Sequence, residues 1–208
     1  MGDLKTYGEI YDEEFLKKFG EYKEVVAKTK LEKEFEVDVK KIANLCKIEV
    51  TEDDLDVVED QDEMGACDMM HSVPKTNLKD YDTDIDNRKV TINKFRSKQV
   101  KRFNLAHEIG HILLGNLSMS IENSEDNFLK SILKRMDEIN CNIFATELLM
   151  PEILVRDVLE EVMTDLEYNS NQKFSDSDID FLSQKAANLM NVSTNLFKER
   201  IKNLNIFN

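Results

Sequence analysis

This sequence has no run of eighteen apolar residues, few cysteines, and far fewer bases than acids. The first absence excludes a membrane-spanning helix of ordinary length. Residues 1–20, MGDLKTYGEIYDEEFLKKFG, also lack the uninterrupted apolar stretch of a secretory signal. The expectation is a soluble cytoplasmic protein. The three cysteines, Cys46, Cys67 and Cys141, are odd in number and scattered, which argues against a disulfide framework and for reduced thiols. With 28 bases against 42 acids the net charge is -14, which disfavours phosphate backbones and anionic membrane surfaces as direct partners. No direct nucleic-acid contact and no membrane association are therefore expected.

What is present is ordinary globular material: 208 residues, 41% of them hydrophobic, enough to bury one sizeable core. The apolar spacing predicts one amphipathic helix over 12–30, with Phe15, Phe19, Tyr22 and Val26 on its inner face. A short helix around Val39 to Cys46 leads into KIEVT, a strand by its β-branched alternation. The acid-rich stretch 52–63 reads as a solvated loop. GACDMMH (65–71) and KVTIN (89–93) read as two more strands, separated by the polar stretch 72–88. Within that stretch DTDIDN begins like a calcium loop, but Asn87 stands where the turn glycine belongs and Asn93 where the bidentate glutamate belongs. It is read as a loop. Three short strands beside several helices imply an α+β domain.

Two of the three histidines fall in FNLAHEIGHILLG, residues 103–115. The apolar positions Val100, Phe103, Ile109 and Ile112 predict a helix from Lys98 to Leu114, with Gly115 as a left-handed C-cap. On a helix, residues four apart lie nearly above one another, so His107 and His111 can hold one metal ion and Glu108 can reach a water beside it. This is the HExxH arrangement of zinc metallopeptidases, with two imidazole ligands and a carboxylate as general base. A catalytic metal also needs a third protein ligand. The longer histidine-rich pattern of metzincins is excluded, because Leu114 and Leu117 occupy the positions of its glycine and third histidine.

A carboxylate from a second helix is the other common solution. Residues 127–150 are strongly periodic, with Phe128, Ile132, Ile139 and Ile143 among the apolar positions, and Pro151 opens a further helix. Asp137, Glu138 and Glu147 lie on that segment, and Glu147 is turned to the face opposite Glu138. Glu138 has the better company: Asn142 on the same face can hydrogen-bond a ligand imidazole, and the small Ala145 lets two helices approach. Cys141 is the softer alternative. For stabilising an oxyanion, His71 and Tyr81 are the candidates by chemistry.

RFNLAHEIGHILLG followed by EINCNIFATELLMP closely resembles the ImmA/IrrE metallopeptidases, whose pattern carries AHE(I/L)GH and then Glu-x-x-Ala-Asn-x-Phe-Ala-x-x-Leu-Leu-Met-Pro. The departures are Cys141 for a usual alanine and Asn104 for a usual threonine. The resemblance covers roughly 37–151, with a weaker echo in NVSTNLFKERIKNLNIF near the C terminus. It implies a zincin-like α+β domain, mostly helical, with a small, about three-stranded sheet packed on the metal-binding helix. It implies Zn2+ on His107, His111 and Glu138, Glu108 as the catalytic base, and cleavage of a protein substrate, typically a helix-turn-helix transcriptional repressor in mobile-element or stress-response control. The acidic N terminus does not look like a DNA reader, so the repressor is expected to be a separate protein. The alternative is a non-proteolytic zinc-containing regulatory protein that binds such a partner.

The expected organisation is an N-terminal helical extension (1–36), the metallopeptidase domain (37–151) and a C-terminal helical region (152–208). The last contains three amphipathic helices, one capped by Ser175 or Ser177 and another by Ser193.

Overall fold

The computed structural model describes residues 4–55, 81–115, 126–168 and 173–207. In chain order these form α1 (Tyr7–Ile10), α2 (Glu13–Lys17), a 3-10 turn (Gly20–Tyr22), α3 (Lys23–Lys28), α4 (Val39–Leu45), β1 (Glu49–Asp53), β2 (Tyr81–Asp84) and β3 (Lys89–Asn93). Five longer helices follow: α5 (Lys98–Leu114), α6 (Asn127–Leu149), α7 (Glu152–Asp165), α8 (Asp176–Met190) and α9 (Thr194–Asn203). Among the described residues no helix is long and apolar enough to cross a membrane.

The sheet is mixed, in the order β1-β3-β2, with β1 parallel and β2 antiparallel to the central strand. Val90 and Ile92 of β3 point into the core and support α5. Opposite residues of an antiparallel pair share a face. Tyr81, paired with Ile92, and Thr83, paired with Val90, therefore face the helices, while Asp82 and Asp84 face solvent. This corrects the sequence reading, which left β2 inside a loop. The signal was present as strict alternation of aromatic or β-branched residues with acids, a period-two pattern masked by its likeness to a calcium loop. The expected strand at 65–71 lies outside the described residues, as do His71 and Cys67.

The single helix expected over 12–30 is broken into α2, the 3-10 turn and α3. Gly20 adopts φ +54°, a conformation that only glycine takes at little cost, and the chain bends there. The inner face was nevertheless read well: Phe15, Phe19 and Val26 are buried. At the other end of α5, Gly115 has positive φ but an extended ψ of 161°, so it ends the helix without the left-handed cap.

The N-terminal segment, α4–α6 and α7–α9 contribute to one hydrophobic core. Phe15 stacks on Phe144 of α6 at 5.3 Å, the Tyr11 hydroxyl donates to the Leu148 carbonyl at 2.7 Å, and Lys18 pairs with Glu147 at 2.7 Å. Glu147 thus belongs to the face of α6 that receives the N-terminal segment. Arg102 of α5 ties the parts together. Its guanidinium donates to Glu36 at 2.9 Å, to the carbonyl of Val37 at 3.0 Å and to the carbonyl of Asn191 at 3.1 Å. Helix ends are satisfied locally: Ser97 caps α5, Asp126 caps α6, Ser175 forms a capping box with Asp178 on α8, and Ser193 caps α9.

Candidate metal centre

α5 packs lengthwise on α6, and Gly110 sets how closely. A Cβ at that position would lie 3.2 Å from Cδ1 of Phe144 and 3.3 Å from Cα of Cys141, too tight for a side chain without displacement of α6. The small Ala145 is buried in the same contact region, as its position on the face of Glu138 suggested. One turn of α5 to either side of Gly110 therefore comes within reach of side chains on the middle of α6.

His107, Glu108 and His111 are all buried. Nε2 of His107 lies 3.0 Å from Nε2 of His111 and 3.2 Å from Oε2 of Glu138, and Nε2 of His111 lies 3.6 Å from Oε1 of Glu138. Four ligands around a metal at bond lengths near 2.0–2.1 Å are separated from one another by about 3.3 Å. The three donors are therefore spaced as three corners of a coordination tetrahedron would be. Among the described residues they form the one cluster of histidine, cysteine and carboxylate groups with such convergence. Two imidazole nitrogens and a carboxylate oxygen also form a donor set of the kind that divalent metals take in open catalytic sites.

Both imidazoles are held from behind by α6. Nδ1 of His107 donates to Oδ1 of Asn142 at 2.9 Å, because an amide oxygen can only accept. That bond fixes the tautomer and leaves the Nε2 lone pair aimed at the cluster. The neighbouring imidazoles, His107 first and then His111, hold the Glu138 carboxyl well below the usual carboxylate range, despite partial burial. It forms the more exposed wall of the cluster. Cys141, the alternative ligand, sits behind His111 and hydrogen-bonds to it, its thiol pushed up by burial. Asp137 is buried on α6 but is not among the converging donors.

Glu108 stands apart from the three. Thr83 of β2 donates its hydroxyl hydrogen to Oε2 at 2.6 Å, which fixes the carboxylate from the sheet side. Oε1 is buried with no hydrogen-bond partner among the described residues and lies 3.9 Å from Nε2 of His107. Burial raises the Glu108 carboxyl, with Thr83 and the histidines opposing. A buried carboxylate oxygen without a partner costs stability, so its persistence beside three converging donors marks a place for a missing polar group. A second such atom, Nδ2 of Asn104, is buried one turn earlier on α5, also without a partner among the described residues. Sequence reasoning missed Thr83, for it could only be found once β2 was recognised. Tyr81, on the same face of β2, is half-buried with its ring 6.1 Å from that of His107.

A small mixed sheet carrying an HExxH helix, with a second helix bringing a carboxylate to its two histidines, defines the zincin-like class of metallopeptidase folds. Within that class the chain belongs to the IrrE N-terminal-like domain family, peptidase family M78, whose model matches residues 61–202. It is also similar to the radiation response metalloprotease IrrE of Deinococcus radiodurans, with 34% identity over 100 residues. That alignment covers 44% of this chain and 30% of the relative, so the chain spans less than a third of that protein's length. Membership of the family implies a metal ion at the site.

Proposed function

We propose that this protein is a zinc-dependent endopeptidase of the cytoplasm whose substrate is another protein, a helix-turn-helix transcriptional repressor. The observation that carries the reading is the pairing of three converging donors with an adjacent buried carboxylate oxygen that has no partner among the described residues. A site built only to bind a metal gains nothing from Glu108. A hydrolytic site requires it.

His107, His111 and Glu138 would hold the zinc, leaving the fourth position open. When bound, zinc supplies Lewis acidity, which brings the pKa of a water near 7 and polarises a peptide carbonyl. Oε1 of Glu108 accepts the proton of the attacking water and returns it to the leaving amine, as base and then acid. Thr83 keeps the other oxygen occupied, so that Oε1 is the one turned to the reaction. Asn142 holds the His107 ring in the ligating tautomer throughout. The proposed substrate class draws on the likeness to the ImmA/IrrE metallopeptidases, and stress control on the radiation-response relative, whose name describes that protein only. The acidic balance of this chain supports a repressor encoded separately, since a net charge of -14 does not favour contact with DNA.

The test has two steps. Metal analysis of protein purified without chelators should give about one zinc per chain, and Glu138→Ala should lower it strongly. Co-expression with helix-turn-helix proteins from the same genome should then yield one cleaved species with the wild type and none with Glu108→Gln, which retains its zinc. Cleavage that persists in Glu108→Gln would overturn the assignment of the base. A zinc-loaded protein that cleaves none of them but binds one equally well as Glu108→Gln would establish the non-proteolytic regulator instead.

A further inference from the structure

α6 has two apolar faces. One is buried and carries Cys141, Phe144, Ala145, Leu148 and Leu149. The other, nearly opposite, carries Leu129, Ile132, Met136, Ile139 and Ile143, all exposed to between 38% and 50%, with Phe128 beside them at 75%. The sequence spacing of the five is 3, 4, 3 and 4, the alternation of a coiled-coil seam sustained over two heptads. Half of the large exposed apolar side chains among the described residues lie on this one helix. The remainder are scattered singly, as on any soluble surface.

We propose that this seam pairs with the same seam of a second copy, making the protein a two-fold symmetric dimer through α6. Three observations select a second copy over other occupants. First, at roughly 200 Å² for a fully exposed side chain of this size, the six residues offer on the order of 600 Å² per copy. This lies at the upper limit of what monomers leave open, and two copies would bury about 1,200 Å², enough for a specific interface. Secondly, charge permits it. The chain as a whole would repel its copy, but α6 from Asn127 to Ile143 carries three bases, Lys130, Lys134 and Arg135, against two acids. The positions flanking the seam are Leu133, Arg135, Asn140 and Asn142, none of them acidic. Thirdly, the first ten residues of α6 bury no side chain, and a helical stretch of that length is marginal in water without a packing partner. A helix with the same heptad seam supplies that packing along its whole length, whereas a peptide extended for proteolysis would not match the 3-4 spacing. The pairing is isologous, so each copy contributes and receives the same residues.

Sedimentation equilibrium of the full chain should give twice the chain mass at micromolar concentrations. Ile132→Asp combined with Ile139→Asp should weaken self-association by at least about a hundredfold while leaving the far-ultraviolet helical signal unchanged. Leu189→Asp, on the exposed face of α8, should remain dimeric. Should the double variant fail to fold, Met136→Lys serves in its place. Hydrogen exchange of wild-type residues 127–143 should also slow as protein concentration rises. A monomer across the whole concentration range, or a dimer indifferent to the seam variants, overturns the proposal. A monomeric wild type whose seam variants lose binding to a substrate protein overturns it in favour of a docking site for that substrate.

Discussion

α5 carries two polar constellations on opposite faces, one half-buried and one buried, and they are built to opposite rules. On one face Arg102 meets Glu36, the carbonyls of Val37 and Asn191, and nothing in the cluster is left wanting. Glu36 is itself shared among Arg102, Lys33 and Asn191. On the other face two imidazole nitrogens and a carboxylate crowd within 3.0–3.6 Å of each other, and Glu108 keeps an oxygen with no partner among the described residues. A polar group with its partners in place holds the fold, whereas one left incomplete beside converging donors is placed to bind or react. The first cluster joins segments 36–37 and 190–191 to α5. The second is tied to the fold by the groups behind it, Asn142, Cys141 and Thr83.

The contrast is broken most severely by exchanging the roles. Glu108→Gln should reduce proteolysis by roughly 10²–10⁴-fold, read as single-turnover cleavage, with the unfolding midpoint unchanged or raised. Removing the charge relieves a buried carboxylate that lacks a partner, so a large loss of stability would show that Glu108 is a structural group. Arg102→Met should do the reverse. Losing one member of a fully buried pair costs about 3–5 kcal/mol, which sets the ceiling for this half-buried one, to be read from urea unfolding. Zinc bound per folded chain should not change, because no ligand is within reach of that face. A milder intrusion on the metal face is Asn142→Ala, which frees the His107 tautomer without removing a ligand. Zinc affinity should fall about 10–100-fold by competition with a chelating dye, with little change in stability.

The two clusters also differ in how far the sequence discloses them. His107, Glu108 and His111 stand on one helix, so their spacing alone places them together. Glu138 and Asn142 follow from the period of a second helix, given that its inner face could be chosen. That choice was the hard part, since Phe128, Ile132, Ile139 and Ile143 are as periodic as the residues that are buried, and the pattern does not say which stripe meets the body. Thr83 required the pairing of β2 with β3, a contact between strands that no local pattern encodes. Arg102 and Glu36 lie 66 positions apart, and residues that far apart meet only through the packing of the N-terminal segment and α8 around α5. The break at Gly20 is local, yet it was overridden by the apolar period on either side. What the sequence leaves obscure is therefore mainly how faces and distant segments are matched, rather than what each segment is.

A last expected effect tests the satisfied cluster by pH. Burial works against the Glu36 carboxylate, but hydrogen bonds from Lys33 and Asn191 and the charge of Arg102 outweigh it and hold the group at about 2, against an ordinary value of 4.5. A carboxyl whose pKa is lower when folded binds its proton more readily when unfolded, so protonation favours unfolding. Its contribution is complete above about pH 4.5 and is lost as the pH falls towards 2, with a ceiling of about 3 kcal/mol from the size of the shift. Other acids titrate in the same window, so the quantity to measure is the difference between wild type and Glu36→Gln, by urea unfolding at several pH values. Above pH 5 the wild type should be the more stable, and the gap should narrow steadily between pH 4.5 and 2. A gap that stays constant through that window would mean that Glu36 contributes through packing and neutral hydrogen bonds. The satisfied face of α5 would then owe nothing to charge, and the distinction between its two faces would rest on geometry alone.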